Sequence, residues 1–253
     1  MREWIKRQYV IRGGKMLRTI VWFGYFWLYL VGIMPGYFKM KRLAKEGKTS
    51  EKDMLVSSIA SKWARDLLKM AGAEIKVTGA ENVPADRTVL FVSNHQGNFD
   101  IPLLLGHINK QKAFIAKIEM LKMPLIRTWM KHMNCVFLDR NDMRQSLKVM
   151  NEAAEHLKNG YSMVIFPEGT RSKGKEMGEF KAGFLRIATK TNMPIVPVTI
   201  NGSYKLMEKN GFIIKPAEVN IVISEPIETA GLTKEAANEL QEKVRSMIAS
   251  KLV

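Results

Sequence analysis

After Gly72 the chain alternates short apolar runs with longer amphipathic stretches, and this alternation limits its fold more than any other feature. The runs 74–77, 89–92, 113–116, 136–138, 163–166, 195–200 and 219–223 have strand length and are rich in β-branched or aromatic residues. Between them lie helix-like segments at 101–107, 121–133, 142–157 and 180–189, and Thr233 caps a last helix carrying Leu240, Val244, Met247 and Ile248. Strands and helices in alternation predict an α/β fold: a central mixed, mostly parallel sheet flanked by helices. A chain of 253 residues suits one such domain plus an appendage. We place the division at residue 72, with an N-terminal two-helix, membrane-associating hairpin over 1–72 and the α/β domain over 73–253.

The appendage has its own signature. From Thr19 to Phe38 there are 20 residues without a charge, among them Trp22, Phe23, Tyr25, Phe26, Trp27 and Tyr29. Arg2, Lys6, Arg7, Arg12, Lys15 and Arg18 precede this run, and Lys39, Lys41, Arg42, Lys45 and Lys48 follow it. Against Glu3 and Glu46 they give residues 1–48 a net charge of +9, more than half of the +16 carried by the whole chain. No small-residue cleavage pattern follows, so a signal peptide fits poorly. Pro35 limits a spanning helix to Thr19–Met34, roughly 24 Å against a hydrocarbon core of ~30 Å. Cations on both flanks favour a monotopic anchor that dips into one leaflet and binds anionic headgroups; a short span is the second reading. A second helix begins near Thr49-Ser50-Glu51, with Leu55, Ile59, Trp63, Leu67 and Met70 on one face and Gly72 at its end.

A strongly basic chain implies a polyanionic partner: nucleic acid, anionic lipid or a phosphorylated substrate. Here the aromatics concentrate in the uncharged run instead of alternating with cations, which favours lipid over nucleic acid. The single cysteine, Cys135, allows no internal disulfide and no thiolate metal cluster, and it reads as packing. No His-Glu-x-x-His, Asp-x-Asp, Walker loop or Gly-x-Gly-x-x-Gly is present, so neither a metal nor a resident cofactor is expected.

Chemistry concentrates where the run Val89–Val92 breaks into Ser-Asn-His-Gln-Gly-Asn-Phe-Asp-Ile-Pro. Strand ends that feed a helix are where open α/β sheets bind ligands. His95 can take a proton from a hydroxyl near neutral pH, and Asp100 can fix its tautomer and stabilise the imidazolium. That is triad logic without a serine, so the substrate's own oxygen becomes the nucleophile. His107, His132 and His156 have no comparable context. A second polar loop, Glu168-Gly169-Thr170-Arg171, follows the run at 163–166. An Arg fork and a Gly-opened backbone suit a phosphate, while a plain βα turn with a surface Arg is the alternative.

Asn94-His95-(four residues)-Asp100 resembles the first block of the glycerolipid acyltransferase family, which includes the 1-acylglycerol-3-phosphate acyltransferases. Val136-Phe137-Leu138-Asp139-Arg140 is similar to the second block, Phe166-Pro167-Glu168-Gly169-Thr170-Arg171-Ser172 to the third, and Val196-Pro197-Val198-Thr199-Ile200 to the fourth. The blocks fall in the family's order over residues 94–200. Gln96 and Gly97 occupy positions where the family varies, and neither is expected to matter.

The resemblance implies His95 and Asp100 as the catalytic pair. It also implies Glu168, Gly169 and Arg171 for acceptor phosphate binding and site architecture, with Thr170 supporting the loop and Arg140 near the glycerol phosphate. Lys117, at the same sheet edge, is a candidate for the oxyanion or a donor phosphate. The implied reaction moves an acyl chain from acyl-CoA or acyl carrier protein to lysophosphatidic acid, giving phosphatidic acid in phospholipid biosynthesis. The expected partners are an anionic phospholipid membrane at its cytoplasmic face, the lysolipid and the thioester donor, with no nucleic acid. Glycerol 3-phosphate or another lysophospholipid is the alternative acceptor, and a basic membrane- or nucleic-acid-binding module is the rival from another class.

Overall fold

The structure is a computed structural model that describes residues 2–140, 142–232 and 234–253. Three helices come first: α1 (Arg2–Gly32), α2 (Met34–Lys45) and α3 (Thr49–Ala71). There follow β1 (Ala73–Thr78), β2 (Leu90–Ser93), α4 (Asp100–His107), β3 (Lys112–Lys117), α5 (Pro124–His132), β4 (Val136–Leu138) and α6 (Met143–Lys158). The last elements are β5 (Ser162–Ile165), α7 (Gly183–Thr191), β6 (Ile195–Asn201), β7 (Ala217–Ile223) and α8 (Lys234–Ala249). The strands form one sheet in the order β1-β7-β6-β2-β5-β3-β4. Only the β6–β7 pair is antiparallel, so the sheet is mixed and mostly parallel, as expected.

Strand order decides what can share an edge. β2 lies between β6 and β5, parallel to both, with Ser93 opposite Val198 and Val92 opposite Ile165. The loops that leave β2 and β5 and the end of β6 therefore emerge side by side, although the β2 loop contacts partners 73 residues on, after β5, and 106 residues on, in β6. β4 sits two strands beyond β5, roughly 10 Å across the sheet. Val89, Leu90, Phe91 and Val92 are all fully buried, because helices cover both faces of a parallel sheet.

The N-terminal helices depart from the expected hairpin in three ways. First, a separate helix follows the apolar one: α1 ends at Gly32, close to the expected limit at Met34, and Pro35 belongs to α2. It lies in the first turn of α2, where a missing N–H costs nothing, and the chain turns at Ile33. The apolar stretch thus continues, and Met16–Lys45 is long and apolar enough to cross a bilayer. Second, α3 starts at Thr49 as expected, but Lys48 holds its cap position with no side-chain hydrogen bond. Third, the buried face of α3 is rotated from the expected one. Val56, Ala60, Ala64, Leu67, Leu68 and Ala71 turn inward, and all but Val56 join the same core cluster as the strands. Leu55, Ile59 and Trp63 face the helices instead, beside Phe26, Tyr37 and Trp129. Alanines on the sheet side allow close approach to α4; a Cβ on Gly106 would come 3.1 Å from Arg65 Cγ. Gly72, at φ +78°, separates helices from strands in sequence, but α3 shares its core with the sheet. Thr233, expected as a cap, lies outside the described residues.

α1 is fastened to α3 by the Trp22 indole N–H, which donates to Leu67 O at 2.9 Å, and by the Tyr29 hydroxyl, which donates to Asp66 at 2.9 Å. Its other face is bare: Ile20, Phe23, Trp27, Leu28 and Val31 are exposed, and Phe38 on α2 continues the patch. Contiguous apolar surface of this size marks a surface that meets lipid or protein.

Cys135 is buried, and burial pushes its thiol up to about 12, which fits the inert reading. Lys112 is the unexpected buried charge. It opens β3, is 6% exposed and donates from Nζ to Ile108 O at 2.9 Å; burial pushes it down to about 7. The folded protein therefore releases this proton near pH 7, while the unfolded chain keeps it up to ~10.4. With more protons on the unfolded state across that window, Lys112 makes stability rise with pH there. Thermal melts at pH ~7 and ~9 should show a smaller rise for Lys112→Met than for the native chain. Equal rises would remove Lys112 as the source.

Candidate active site

β2 ends at Ser93, and the next six residues form a loop that enters α4 at Asp100. Phe99 is the helix cap, and Asp100 is the first helical residue. Its carboxylate is fully buried at a helix N-terminus, where the aligned peptide dipoles favour negative charge. One oxygen, Oδ2, accepts from His95 Nδ1 at 2.7 Å, Gln96 N at 2.6 Å and Gly97 N at 2.9 Å. The His95 proton is thereby fixed on Nδ1, leaving Nε2 as the basic nitrogen. The ring stacks on Phe166 from the neighbouring loop, with centroids 4.1 Å apart and planes 21° apart. Ser93, the nearest hydroxyl in sequence, is buried and donates to Asn94 O.

The loop after β5 locks onto this one. Glu168 is buried and spends both oxygens on backbone amides: Oε1 accepts from His95 N at 2.6 Å and Oε2 from Gly178 N at 2.8 Å. Burial raises its carboxyl above the ordinary range, against the pull of those two amides. Glu168 thus ties the main chain of the first loop to that of its own. Ser172 N donates to His95 O at 2.8 Å and Lys173 N to Gln96 O at 3.1 Å, which joins the two loops main chain to main chain. Gly169 sits at φ +69°, a conformation that disfavours any side chain, with Lys181 above it. Thr170 is exposed at the tip of the loop. Arg171 reaches back across the first loop to Asn98 Oδ1 and lies 3.8 Å from Glu208.

The remaining expected residues divide. Arg140 leaves β4 at the same edge. Surrounding protein depresses its guanidinium although the side chain reaches solvent; Glu119 opposes that shift and Arg171 adds to it. Lys117 is half-exposed and pairs with Glu119 at 2.6 Å, so its ammonium is already engaged.

Three residues outside the expected set hold the site. Asn94 is buried and bridges to β6 in both directions, donating to Ile200 O and accepting from Ile200 N, each at 2.8 Å. Gln96, expected to be indifferent, is buried and accepts from Gly202 N at 2.8 Å. Gly97 proves equally constrained, since a Cβ there would lie 2.5 Å from Glu208 Oε2. No spacing rule exposes these contacts, because each partner is more than 100 residues away.

A part-buried His95 held by the buried Asp100, beside a cationic, glycine-opened loop, has the groups needed to take a proton from an external hydroxyl. The family model for acyltransferases matches residues 74–201, half of the sequence, and the chain belongs to that family. It is similar to a chloroplastic 1-acyl-sn-glycerol-3-phosphate acyltransferase of Arabidopsis thaliana, 36% identical over 71% of this chain and 49% of that protein. A probable 1-acyl-sn-glycerol-3-phosphate acyltransferase of Mycoplasma genitalium is 29% identical over 96% of this chain and 92% of its own length. The crystal structure of the 1-acyl-sn-glycerophosphate acyltransferase PlsC from Thermotoga maritima superposes with a TM-score of 0.83 at 32% identity, covering 94% of this chain and 95% of that one. The chain spans about half the length of the first curated relatives it matches.

Proposed function

We propose that this protein transfers an acyl chain from a thioester, acyl-CoA or acyl carrier protein, to the free hydroxyl of 1-acyl-glycerol 3-phosphate, giving phosphatidic acid. The observation that carries this reading is the His95–Asp100 contact lying one loop away from Arg171. His95 Nε2 takes the hydroxyl proton as the alkoxide attacks the thioester carbonyl. The tetrahedral intermediate collapses, the C–S bond breaks, and the thiolate leaves with the proton from His95. Arg171, with Arg140, holds the acceptor phosphate and so sets the hydroxyl beside the base. No acyl-enzyme forms. Lys117 has no part in this scheme, because Glu119 already neutralises it.

The exposed apolar face of α1 and α2 would sit in one leaflet at the cytoplasmic side, with Lys39, Lys41 and Arg42 among the headgroups. Trp22 supports that placement: from the inner face of α1 it packs against Phe99, 5.3 Å between centroids, so the anchor touches the catalytic loop itself.

The test is product identification. Protein in detergent is offered 1-acyl-glycerol 3-phosphate, glycerol 3-phosphate and larger lysophospholipids, each with both donor types, and products are identified by mass. Phosphatidic acid as the main product is expected; acylation of glycerol 3-phosphate in preference would replace the acceptor named here. Arg171→Ala should raise the acceptor KM about tenfold and leave the donor KM unchanged, since a charge-assisted hydrogen bond at a partly exposed cation is worth ~1.5 kcal/mol. Equal effects on both substrates would remove Arg171 from the phosphate.

A further inference from the structure

The four consecutive backbone N–H groups of residues 95–98 are all held by buried carboxylates. His95 N donates to Glu168, Gln96 N and Gly97 N donate to Asp100, and Asn98 N donates to Glu208 Oε1 at 2.7 Å. Glu168 and Asp100 belong to the motif loops. Glu208 does not: it opens a single 3₁₀ turn beyond β6, 37 residues after Arg171. Yet its side chain is only 6% exposed, and the same Oε1 that takes the Asn98 amide lies 3.8 Å from Arg171 Nη1. Arg171 also touches the Asn98 side chain. Asn98 Oδ1 and Glu208 Oε1 therefore both approach Arg171 Nη1, and the Asn98 backbone is bound to the same Glu208 oxygen. Gly97 admits this arrangement, because any larger residue would collide with the Glu208 carboxylate.

We propose that Glu208 is a positioning residue for the acceptor phosphate: its carboxylate ties the Arg171 guanidinium to the loop that carries His95, so the distance from phosphate to base is set by one shared oxygen. This rests on Arg171 being the phosphate ligand. Glu208 touches no reacting atom and acts through Arg171. A carboxylate placed there merely for stability would influence both substrates alike. One that indexes Arg171 influences the acceptor alone, and only while Arg171 is present.

Steady-state constants for both substrates decide it, measured for Glu208→Ala, Glu208→Gln, Arg171→Ala and the double variant Glu208→Ala/Arg171→Ala. Glu208→Ala should raise the acceptor KM about five- to tenfold with the donor KM unchanged, and should add less than about twofold in the Arg171→Ala background. Glu208→Gln keeps the volume and can still accept the Asn98 N–H, so it carries the test if the alanine variant fails to fold. Its acceptor KM should rise about threefold, again only with Arg171 in place. Multiplying effects in the double variant, or equal changes in both KM values, would overturn the role. A fall in acceptor KM would overturn it too, by making Glu208 a competitor of the phosphate. An Arg171→Ala variant without an acceptor-specific effect would instead remove the phosphate assignment beneath it.

Discussion

His95→Ala should lower turnover of 1-acyl-glycerol 3-phosphate with an acyl thioester by about 10³–10⁴-fold, at or near the upper end of what a positioned general base contributes. Two groups do separable work in the proposed reaction. Arg171 holds the acceptor, and bringing hydroxyl and thioester together can account for ~7–11 kcal/mol of the barrier. His95 removes the proton, which no neighbouring side chain can take over: Asp100 is fully buried behind it, and both Glu168 oxygens are occupied by amides. The variant should therefore keep both KM values and a residual rate above the uncatalysed reaction while losing kcat. The fold should survive, because Asp100 still accepts the amides of Gln96 and Gly97. Single-turnover product formation under saturating substrates is the measurement. A variant within about tenfold of the native rate would mean that proximity alone drives the step.

Much of this was legible in the residues. Seven apolar runs mark the seven strands, because a parallel sheet covered on both faces needs side chains that are apolar throughout. The pair His95 and Asp100 was legible because a five-residue separation across a strand end lets one side chain fold back on the other. Strand order was not legible, and it is what sets β2 between β5 and β6 and brings three loops together. The face of α3 is not legible from its largest apolar residues: Leu55, Ile59 and Trp63 meet the neighbouring helices, whereas close packing on the sheet selects alanines. Pro35 does limit the first helix, which ends at Gly32, but a proline also suits a first turn, and the further helix that starts there gives no separate signal. Glu208 gives no signal at all: one acidic residue in a short turn looks like solvent-facing charge until the fold buries it.

Asp100→Asn should cost about 10³-fold in turnover while leaving the loop in place, and it separates charge from geometry in a way few substitutions here allow. All three donors converge on Oδ2, and Oδ1 is buried without a hydrogen-bond partner among the described residues. An asparagine can set its carbonyl oxygen where Oδ2 lies and its amide nitrogen where Oδ1 lies. Every donor is then still satisfied, and the new cost is one buried unpaired NH₂, about 1–3 kcal/mol of stability. The negative charge that stabilises the imidazolium is gone, so the base still points correctly but holds a proton poorly in the transition state. Asp100→Ala would instead strand three donors and is expected to disrupt the loop and α4 with it. Melting curves and turnover measured together for the asparagine variant distinguish the cases. A folded protein with greatly reduced kcat and unchanged KM values makes the Asp100 charge part of the chemistry. A folded protein with native turnover would make Asp100 a loop clamp alone, leaving His95 to act as an unassisted base.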